Sequence, residues 1–221
     1  MDATLFEMPT ARPNHPAKFT DVLLPVMADM LRGCRLVIDP FGGTGKIATL
    51  RHWLPGVQFV SGELESEWAR PGMVCQNSRW MPYAAKTFDG CATSPAYGNR
   101  MADKLLRDPA KTKTYACDLG HKLSHDNGAA LQWGQAYREL HLAIWRECAR
   151  VLQPGAPLVL NMKDHIRGGE RMHVTDWHVA ALLSAGFQLV GERRVVCPGQ
   201  REGKNSAARV PYESIIKFVL R

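Results

Sequence analysis

An apolar run that ends in an acid and a glycine-rich turn constrains the fold of this chain more than any other feature. The run is Arg35–Asp39, and Pro-Phe-Gly-Gly-Thr-Gly follows it up to Gly45. A short apolar run bounded by turn-forming residues is typical of a buried strand. The pattern therefore predicts a strand, a tight turn, and then a helix from about Lys46 to Trp53.

Strand and helix patterns alternate along the rest of the chain. Short apolar runs predict strands over 57–61, 88–93 and 157–161, and a closing strand pair over 188–196 and 213–220. Apolar residues at helical spacing predict a helix over 135–152. A second helix is expected over 175–184, with Thr175 as its N-cap. Alternation of this kind predicts an α/β fold with a doubly wound, mostly parallel sheet.

Polar groups follow three of the predicted strands at the point where each strand ends. They are Asp39 with the turn up to Gly45, Glu63, and the segment Ser94–Tyr97. Neighbouring parallel strands present their carboxyl ends at one edge of a sheet, and ligands bind there near the switch in strand order. We therefore expect the three groups to converge on one site.

Length and composition limit the kind of protein further. A chain of 221 residues is expected to form a single domain over 1–221, and residues 99–134 are expected to be an inserted loop or lid because they show little periodicity. Scattered cysteines, no long apolar run and no secretory signal favour a cytoplasmic protein without contact to a membrane. No metal site is predicted, since Cys117, His121 and His125 lack an evident fourth ligand.

The net charge of +7 lies in two stretches of the sequence. Residues 99–113 hold five bases and two acids, and residues 193–209 hold five bases and one acid, so the remainder is neutral overall. Clustered bases favour an anionic partner such as nucleic acid, although two solvated loops would also account for them. The bases expected to contact nucleic acid are Arg100, Lys104, Arg201, Lys204 and Arg209.

Residues around the glycine turn discriminate between nucleotide ligands. Neither the phosphate-loop pattern nor the dinucleotide fingerprint fits residues 40–48. The carboxylate of Asp39 would repel a phosphate, but it can orient a cationic amino acid group. Glu63, at the end of the next strand, is placed to accept hydrogen bonds from ribose hydroxyls. An adenosine with a zwitterionic tail suits both acids, which predicts S-adenosyl-L-methionine as the cofactor.

Several of these segments resemble motifs of one enzyme family. Asp39–Gly45 resembles the cofactor motif of class I methyltransferases, in the D-P-F-x-G-x-G form found in DNA amino-methyltransferases. Ser94–Tyr97 resembles their catalytic tetrapeptide, with Ala96 where a second proline is usual. His15–Phe19 and Gly62–Trp68 resemble their cofactor and ribose segments. The resemblance implies a Rossmann-like class I methyltransferase fold with an inserted loop region after the tetrapeptide.

The resemblance also implies catalytic roles. Ser94 and the carbonyl of Pro95 would accept hydrogen bonds from an exocyclic amino group and free its lone pair for the methyl group. Tyr97 would stack on a base flipped out of the helix. Serine at the first position favours cytosine N4 over adenine N6 as the methylated atom.

For the cofactor the resemblance implies a second set of residues. Phe19 and Thr20 would lie near the methionine end, and Asn77 would accept a hydrogen bond from the adenine amino group. The full set of expected cofactor-binding residues is Phe19, Thr20, Asp39, Phe41, Gly43, Gly45, Glu63 and Asn77.

Three functions stay open at this point. The favoured one is methylation of a DNA base by a bacterial or phage enzyme. Because the segments available for reading DNA are short, the two basic loops or a recognition or restriction partner would supply the specificity. The alternatives are an RNA base amino-methyltransferase and a non-catalytic nucleic-acid-binding module with the same fold.

Overall fold

A seven-stranded main sheet and a separate two-stranded sheet over 165–172 contain the strands of the protein, whose computed structural model describes residues 20–99, 115–197 and 208–221. The strands are β1 Leu36–Asp39, β2 Gln58–Glu63, β3 Met73–Cys75, β4 Gly90–Thr93, β5 Pro157–Met162, β6 His165–Arg167, β7 Glu170–Met172, β8 Phe187–Val196 and β9 Tyr212–Leu220. The α-helices are α1 Leu24–Met30, α2 Tyr115–Leu119, α3 Gln135–Val151 and α4 Val174–Ser184. Three 3-10 helices cover Asp21–Leu23, Lys46–His52 and Gly128–Ala130.

Seven strands form the main sheet in the order β3-β2-β1-β4-β5-β9-β8. The first five of these are parallel, whereas β9 runs antiparallel to both of its neighbours. The chain moves outward from β1 to β3 and then returns to place β4 on the other side of β1. The strand order therefore switches between β1 and β4, the place where such sheets bind ligands. The predicted mostly parallel, doubly wound sheet is confirmed.

Successive side chains of the central strands pack alternately into two hydrophobic cores, one on each face of the sheet. Ile38 points into a core formed with α3 and α4, around the fully buried Trp145. Val37 points into a second core formed with α1, around Met27. Strands covered on both faces are expected to be apolar throughout, which explains the continuous apolar runs in the sequence.

Two local predictions are corrected by the structure. The helix expected at about Lys46–Trp53 is a 3-10 helix over Lys46–His52, whose two buried residues, Ile47 and Leu50, are three apart. That spacing puts both on one face of a 3-10 helix. Thr175 is not the N-cap of α4: the helix begins at Val174, and the Asp164 carboxylate accepts the hydrogen bond of the Thr175 backbone N–H at 2.8 Å. None of the helices in the described residues has the length and apolar character needed to cross a membrane.

Candidate active site

Asp39 is a fully buried carboxylate at the end of β1, at the switch in strand order. Its Oδ1 accepts hydrogen bonds from the Phe41 backbone N–H at 3.1 Å and from the Thr93 hydroxyl at 2.8 Å. Its Oδ2 has no hydrogen-bond partner among the described residues. Burial raises the pKa of Asp39 to about 7, against the opposing effect of these two hydrogen bonds. A buried carboxylate with a free oxygen is a strong acceptor for a cationic ligand.

The glycine turn lies directly against the end of β2. The Gly42 N–H donates to the Gly62 carbonyl at 2.7 Å, and the Gly43 N–H donates to Glu63 Oε2 at 2.8 Å. A Cβ atom at Gly42 would lie 2.8 Å from that Gly62 carbonyl oxygen, so this close approach requires glycine. Gly45 has a φ of +73°, which also favours glycine. The turn that the sequence predicts is therefore packed, with no room for side chains along this side.

Glu63 holds the glycine turn in place from the end of β2. Besides Gly43, its carboxylate accepts hydrogen bonds from the backbone N–H groups of Leu64 at 2.9 Å and Glu65 at 3.0 Å. Burial raises the pKa of Glu63, and these backbone hydrogen bonds oppose the shift. Oε1 accepts the bonds from Leu64 and Glu65, whereas Oε2 accepts only the bond from Gly43 and keeps one lone pair. The expected bond from a ribose hydroxyl to this oxygen stays a prediction.

The segment after α2 covers the loops that follow β2 and β3. Glu65, which is 3% exposed, accepts hydrogen bonds from the backbone and hydroxyl of Ser124 and from Asn127. Asn77 donates to Asp126 at 2.8 Å, and its Oδ1 accepts from the Arg79 N–H at 3.0 Å. This part of the predicted lid therefore closes on the side of the sheet where Glu63 lies. The expected bond between Asn77 and adenine stays a prediction.

Thr20 begins the described part of the chain, just before the first 3-10 helix. The adjacent Asp21 forms an ion pair with Lys46, the first residue after the glycine turn. Thr20 is thereby held near the turn, on the side where the methionine end of the cofactor is expected. Some expected site residues lie outside the described residues: Phe19, Arg100, Lys104, Arg201 and Lys204.

The tetrapeptide Ser94–Tyr97 leaves the end of β4 beside Asp39, because Thr93 is the residue that bonds to that carboxylate. Tyr97 donates its phenol proton to Glu213 Oε2 at 3.0 Å. Burial, together with this carboxylate, raises the pKa of Tyr97 well above its ordinary value, which keeps the phenol protonated. Since that proton goes to Glu213, Ser94 is the donor in the 3.3 Å contact between the two hydroxyls.

Asn161 completes a polar cluster at the carboxyl end of β5. Its Nδ2 lies 3.2 Å from Ser94 Oγ, 3.0 Å from the Tyr97 hydroxyl and 2.8 Å from Glu213 Oε2. The amide has two N–H groups for these three acceptors, and when one of them bonds to Ser94 Oγ, the second lone pair of that oxygen stays available to a substrate. Sequence reasoning missed Asn161 and Glu213 in this role. The available signal was a polar residue inside or at the start of an otherwise apolar strand.

A cavity of about 570 Å³ opens beside Tyr97 and is bordered by cations. Arg167 lines it from β6 and donates to the neutral Gln132 side chain at 2.8 Å, and no acid among the described residues pairs with its charge. The cavity lining also includes Lys163, His165 and Arg209. Burial lowers the pKa of His165, which favours its neutral form. Arg209 is thus a predicted nucleic-acid contact that the structure does bring to the site.

Two other bases of the second basic stretch are engaged elsewhere. Arg193 forms an ion pair with Asp29 at 3.1 Å, and Arg194 forms one with Glu192 at 3.0 Å. Asp164 also lines the cavity, and its carboxylate forms an ion pair with Arg171 at 2.8 Å. Within residues 115–197 and 208–221, Lys163, Arg167 and Arg209 are the cations that line the cavity beside the tetrapeptide.

The strand order and the site at its switch point define the class I methyltransferase fold. A scan against protein-family models finds no match, and a search of curated proteins finds none either. Solved structures are similar in fold. One is the [4+2]-cyclase SpnF, with a TM-score of 0.57, 15% identity, and coverage of 94% of this chain and 84% of that one.

Two further solved structures are named as methyltransferases. An S-adenosylmethionine-dependent methyltransferase from Methanosarcina mazei gives a TM-score of 0.54 at 14% identity, over 89% of this chain and 97% of that one. The other is a 1,6-didemethyltoxoflavin-N1-methyltransferase from Burkholderia thailandensis, solved with S-adenosylhomocysteine. It gives a TM-score of 0.51 at 13% identity, over 89% of this chain and 77% of that one. Since a cyclase shares this fold, the reaction has to be argued from the site.

Proposed function

We propose that this protein is an S-adenosylmethionine-dependent methyltransferase that acts on the exocyclic amino group of a DNA base, with cytosine N4 favoured over adenine N6. The hydrogen bond between Thr93 and Asp39 carries the proposal. It joins the acid expected to bind the cofactor to the residue directly before the tetrapeptide. Donor and acceptor of the methyl group would therefore meet at one point of the sheet edge.

The residues around the glycine turn suit this cofactor. Asp39 Oδ2 is a buried acceptor without a partner among the described residues, and the cationic amino group of the cofactor would supply one. Gly43 and Gly45 keep the turn free of side chains beside it, while Glu63 lies at the end of the next strand. The cofactor would supply an electrophilic methyl group on a sulfonium. The bound S-adenosylhomocysteine of the Burkholderia enzyme adds support from a similar fold.

The chain's own residues would activate and orient the amino group. An exocyclic amine is a weak nucleophile because its lone pair is delocalised into the ring. The free lone pair of Ser94 Oγ and the carbonyl of Pro95 would accept its two hydrogens and favour a pyramidal nitrogen. Holding that nitrogen in line with the sulfonium can lower the barrier by about 7–11 kcal/mol. The resulting ammonium loses its proton readily, so the site requires no strong base.

The cavity indicates the class of substrate. Lys163, Arg167 and Arg209 border it with charges suited to phosphates, and the Tyr97 ring forms part of its wall. An aromatic wall with flanking cations suits a flipped base whose backbone stays outside, and stacking contributes roughly 1–3 kcal/mol per base. The serine at position 94 favours cytosine, in keeping with the family resemblance.

Mass spectrometry of nucleosides tests the proposal directly. The protein is incubated with S-adenosylmethionine and, separately, with unmethylated DNA and total RNA. We expect N4-methylcytosine in the DNA sample, and its loss in Ser94→Ala. Ser184→Ala is the matched control, because that hydroxyl bonds to a backbone carbonyl at the end of α4, away from the site.

Other outcomes separate the alternatives. N6-methyladenine in DNA would show that adenine N6, and not cytosine N4, is the methylated atom. A methylated ribonucleoside alone would show that the substrate is RNA. No product in either sample, combined with binding to DNA at low salt and no binding of cofactor in calorimetry, would replace the enzyme by a non-catalytic binding module.

A further inference from the structure

A chain of hydrogen bonds runs from the core between α3 and α4 to the backbone of the tetrapeptide. Trp145 Nε1 donates to His178 Nδ1 at 3.1 Å, and His178 Nε2 lies 2.9 Å from the Tyr137 hydroxyl. That hydroxyl lies 2.6 Å from the carbonyl oxygen of Ala96. The three side chains of this relay, Trp145, His178 and Tyr137, are fully buried.

The direction of every proton in the relay follows from its two ends. An indole N–H only donates, so His178 Nδ1 is an acceptor and carries no proton. A carbonyl only accepts, so Tyr137 donates to Ala96. His178 Nε2 must then carry the imidazole proton and donate to the Tyr137 oxygen. Burial holds the pKa of His178 well below its ordinary value, in agreement with this neutral form.

The relay acts on Ala96, the residue of the tetrapeptide whose side chain can form no hydrogen bond and packs against apolar neighbours such as Trp68. Ser94 and Tyr97 are bonded through their side chains to the cluster of Asn161 and Glu213. Pro95 has its φ fixed by its ring. Ala96 has neither a polar side chain nor a ring, yet its peptide groups connect the Pro95 carbonyl to Tyr97.

We propose that Trp145, His178 and Tyr137 are positioning residues that fix the Ala96 carbonyl and thereby aim the Pro95 carbonyl at the substrate amine. The inference rests on the proposed function for its catalytic consequence. Its structural part, the single tautomer of His178 and the donor role of Tyr137, does not depend on any activity. Ring contacts of Tyr137 with His141 and Trp133 keep the phenol in place whether or not its hydroxyl is present.

Tyr137→Phe removes the hydroxyl that reaches Ala96 and keeps the ring. We expect kcat to fall by about 10-fold or more, because small displacements of reacting groups reduce rates steeply. KM for nucleic acid and the Kd of the cofactor should stay within about two-fold, since the variant leaves both binding surfaces intact. Trp145→Phe removes one of the two groups that favour this His178 tautomer, so a smaller loss of kcat in the same direction is expected.

Tyr83→Phe is the matched control. Its hydroxyl is also buried, at the edge of the same core, but has no hydrogen-bond partner among the described residues. An equal loss of kcat in Tyr83→Phe and Tyr137→Phe, or an unchanged kcat in Tyr137→Phe, would overturn the positioning role.

Nitrogen-15 NMR of the histidines tests the relay without any substrate. We expect His178 in the wild type as the neutral tautomer with its proton on Nε2, and a weaker preference for that tautomer in Trp145→Phe, where only the bond to Tyr137 favours it. A proton on Nδ1 in the wild type would overturn the relay even if the enzyme is active. If the wild type methylates neither DNA nor RNA, the proposed function fails, and the relay is then judged by this spectrum.

Discussion

At the scale of single residues, the ionisation of Asp39 sets an energetic conflict inside the protein. Its pKa is about 7 in the folded chain against an ordinary value of 3.8, so folding favours the neutral acid. The resulting stabilisation is fully present below pH 3.8 and is lost as the pH rises through about 7. The ionised form of Asp39 binds a cationic ligand best. Without a ligand, the same ionised form lowers the stability of the folded chain.

Asp39→Asn should remove this conflict, because an amide keeps the acceptor for Thr93 and Phe41 but carries no charge. Between pH 4 and 7 the free energy of unfolding of the wild type should fall relative to that of Asp39→Asn by up to about 4 kcal/mol. Chemical denaturation at several pH values measures this difference. If the free energies of unfolding of the two proteins change in parallel with pH, the pKa of Asp39 is not raised by burial.

The same variant should weaken cofactor binding. A cationic ligand favours ionised Asp39, so the affinity of the wild type for S-adenosylmethionine should rise between pH 5 and 7, with release of a proton on binding. Asp39→Asn should bind more weakly and lose most of that pH dependence. Calorimetry in buffers of different ionisation enthalpy measures both the affinity and the number of protons released. Equal affinities of the two proteins at pH 7 would show that Asp39 does not bind the cofactor.

Glu213 is the second residue whose charge the site uses. Hydrogen bonds to a carboxylate are roughly twice as strong as those to a neutral acceptor. Glu213→Gln keeps the size and one acceptor, so we expect kcat to fall about 5- to 10-fold while cofactor affinity is unchanged. Glu192→Gln is the control, since that carboxylate accepts from Ser214 at 2.7 Å outside the polar cluster. Steady-state kinetics showing equal effects for both variants would argue against a special role for Glu213.

At the scale of elements, Glu65 is the buried carboxylate that binds the covering segment, residues 120–130 after α2, while Asp126 of the segment bonds to Asn77. Glu65 accepts three hydrogen bonds from Ser124 and Asn127, and such charge-assisted bonds contribute about 1.5–3 kcal/mol each. In Glu65→Ala we expect faster amide hydrogen exchange over residues 115–130, with little change in the strands of the sheet.

Glu67→Ala provides the comparison for this element. Glu67 bonds to His121 at 2.9 Å, but both side chains are about half exposed, and exposed pairs contribute less than about 1 kcal/mol. Exchange over 115–130 should stay near that of the wild type. Equal acceleration in both variants would mean that Glu65 does not hold the segment.

At the level of elements, the sequence predicts the central strands but not the β6–β7 hairpin or the contacts between distant strands. Short apolar runs predicted the central strands because those strands are buried on both faces, and the bond between Thr93 and Asp39 confirms that the ends of β1 and β4 converge. The hairpin of β6 and β7 went unpredicted, although Gly168 and Gly169, both with positive φ, form its two-residue turn. Asn161 and Glu213 meet across 52 residues of sequence, a pairing that only the register of β5 and β9 determines.

At the scale of the whole molecule, the site is divided by the switch in strand order. Asp39, Glu63 and the covering segment lie toward β2 and β3, whereas the basic cavity lies toward β5 and β9. The two ligands of a methyl transfer would thus approach from different sides and meet at Ser94. Arg193 and Arg194 of β8 are already paired with Asp29 and Glu192, so the cavity cations would make a separate contribution to binding of a nucleic acid.

This layout makes the salt dependence of binding a test of which cations face the nucleic acid. Each phosphate neutralised by a cation contributes about 0.9 to the slope of log K against log salt for duplex DNA. Arg167→Ala and Arg209→Ala should each lower that slope by about one and weaken binding at low salt, measured by fluorescence anisotropy. Arg35→Ala should leave the slope unchanged, because Arg35 lies at the opposite edge of the sheet, beside Asp89. If all three variants change the slope equally, binding is spread over the surface, and the cavity is not where the strand lies.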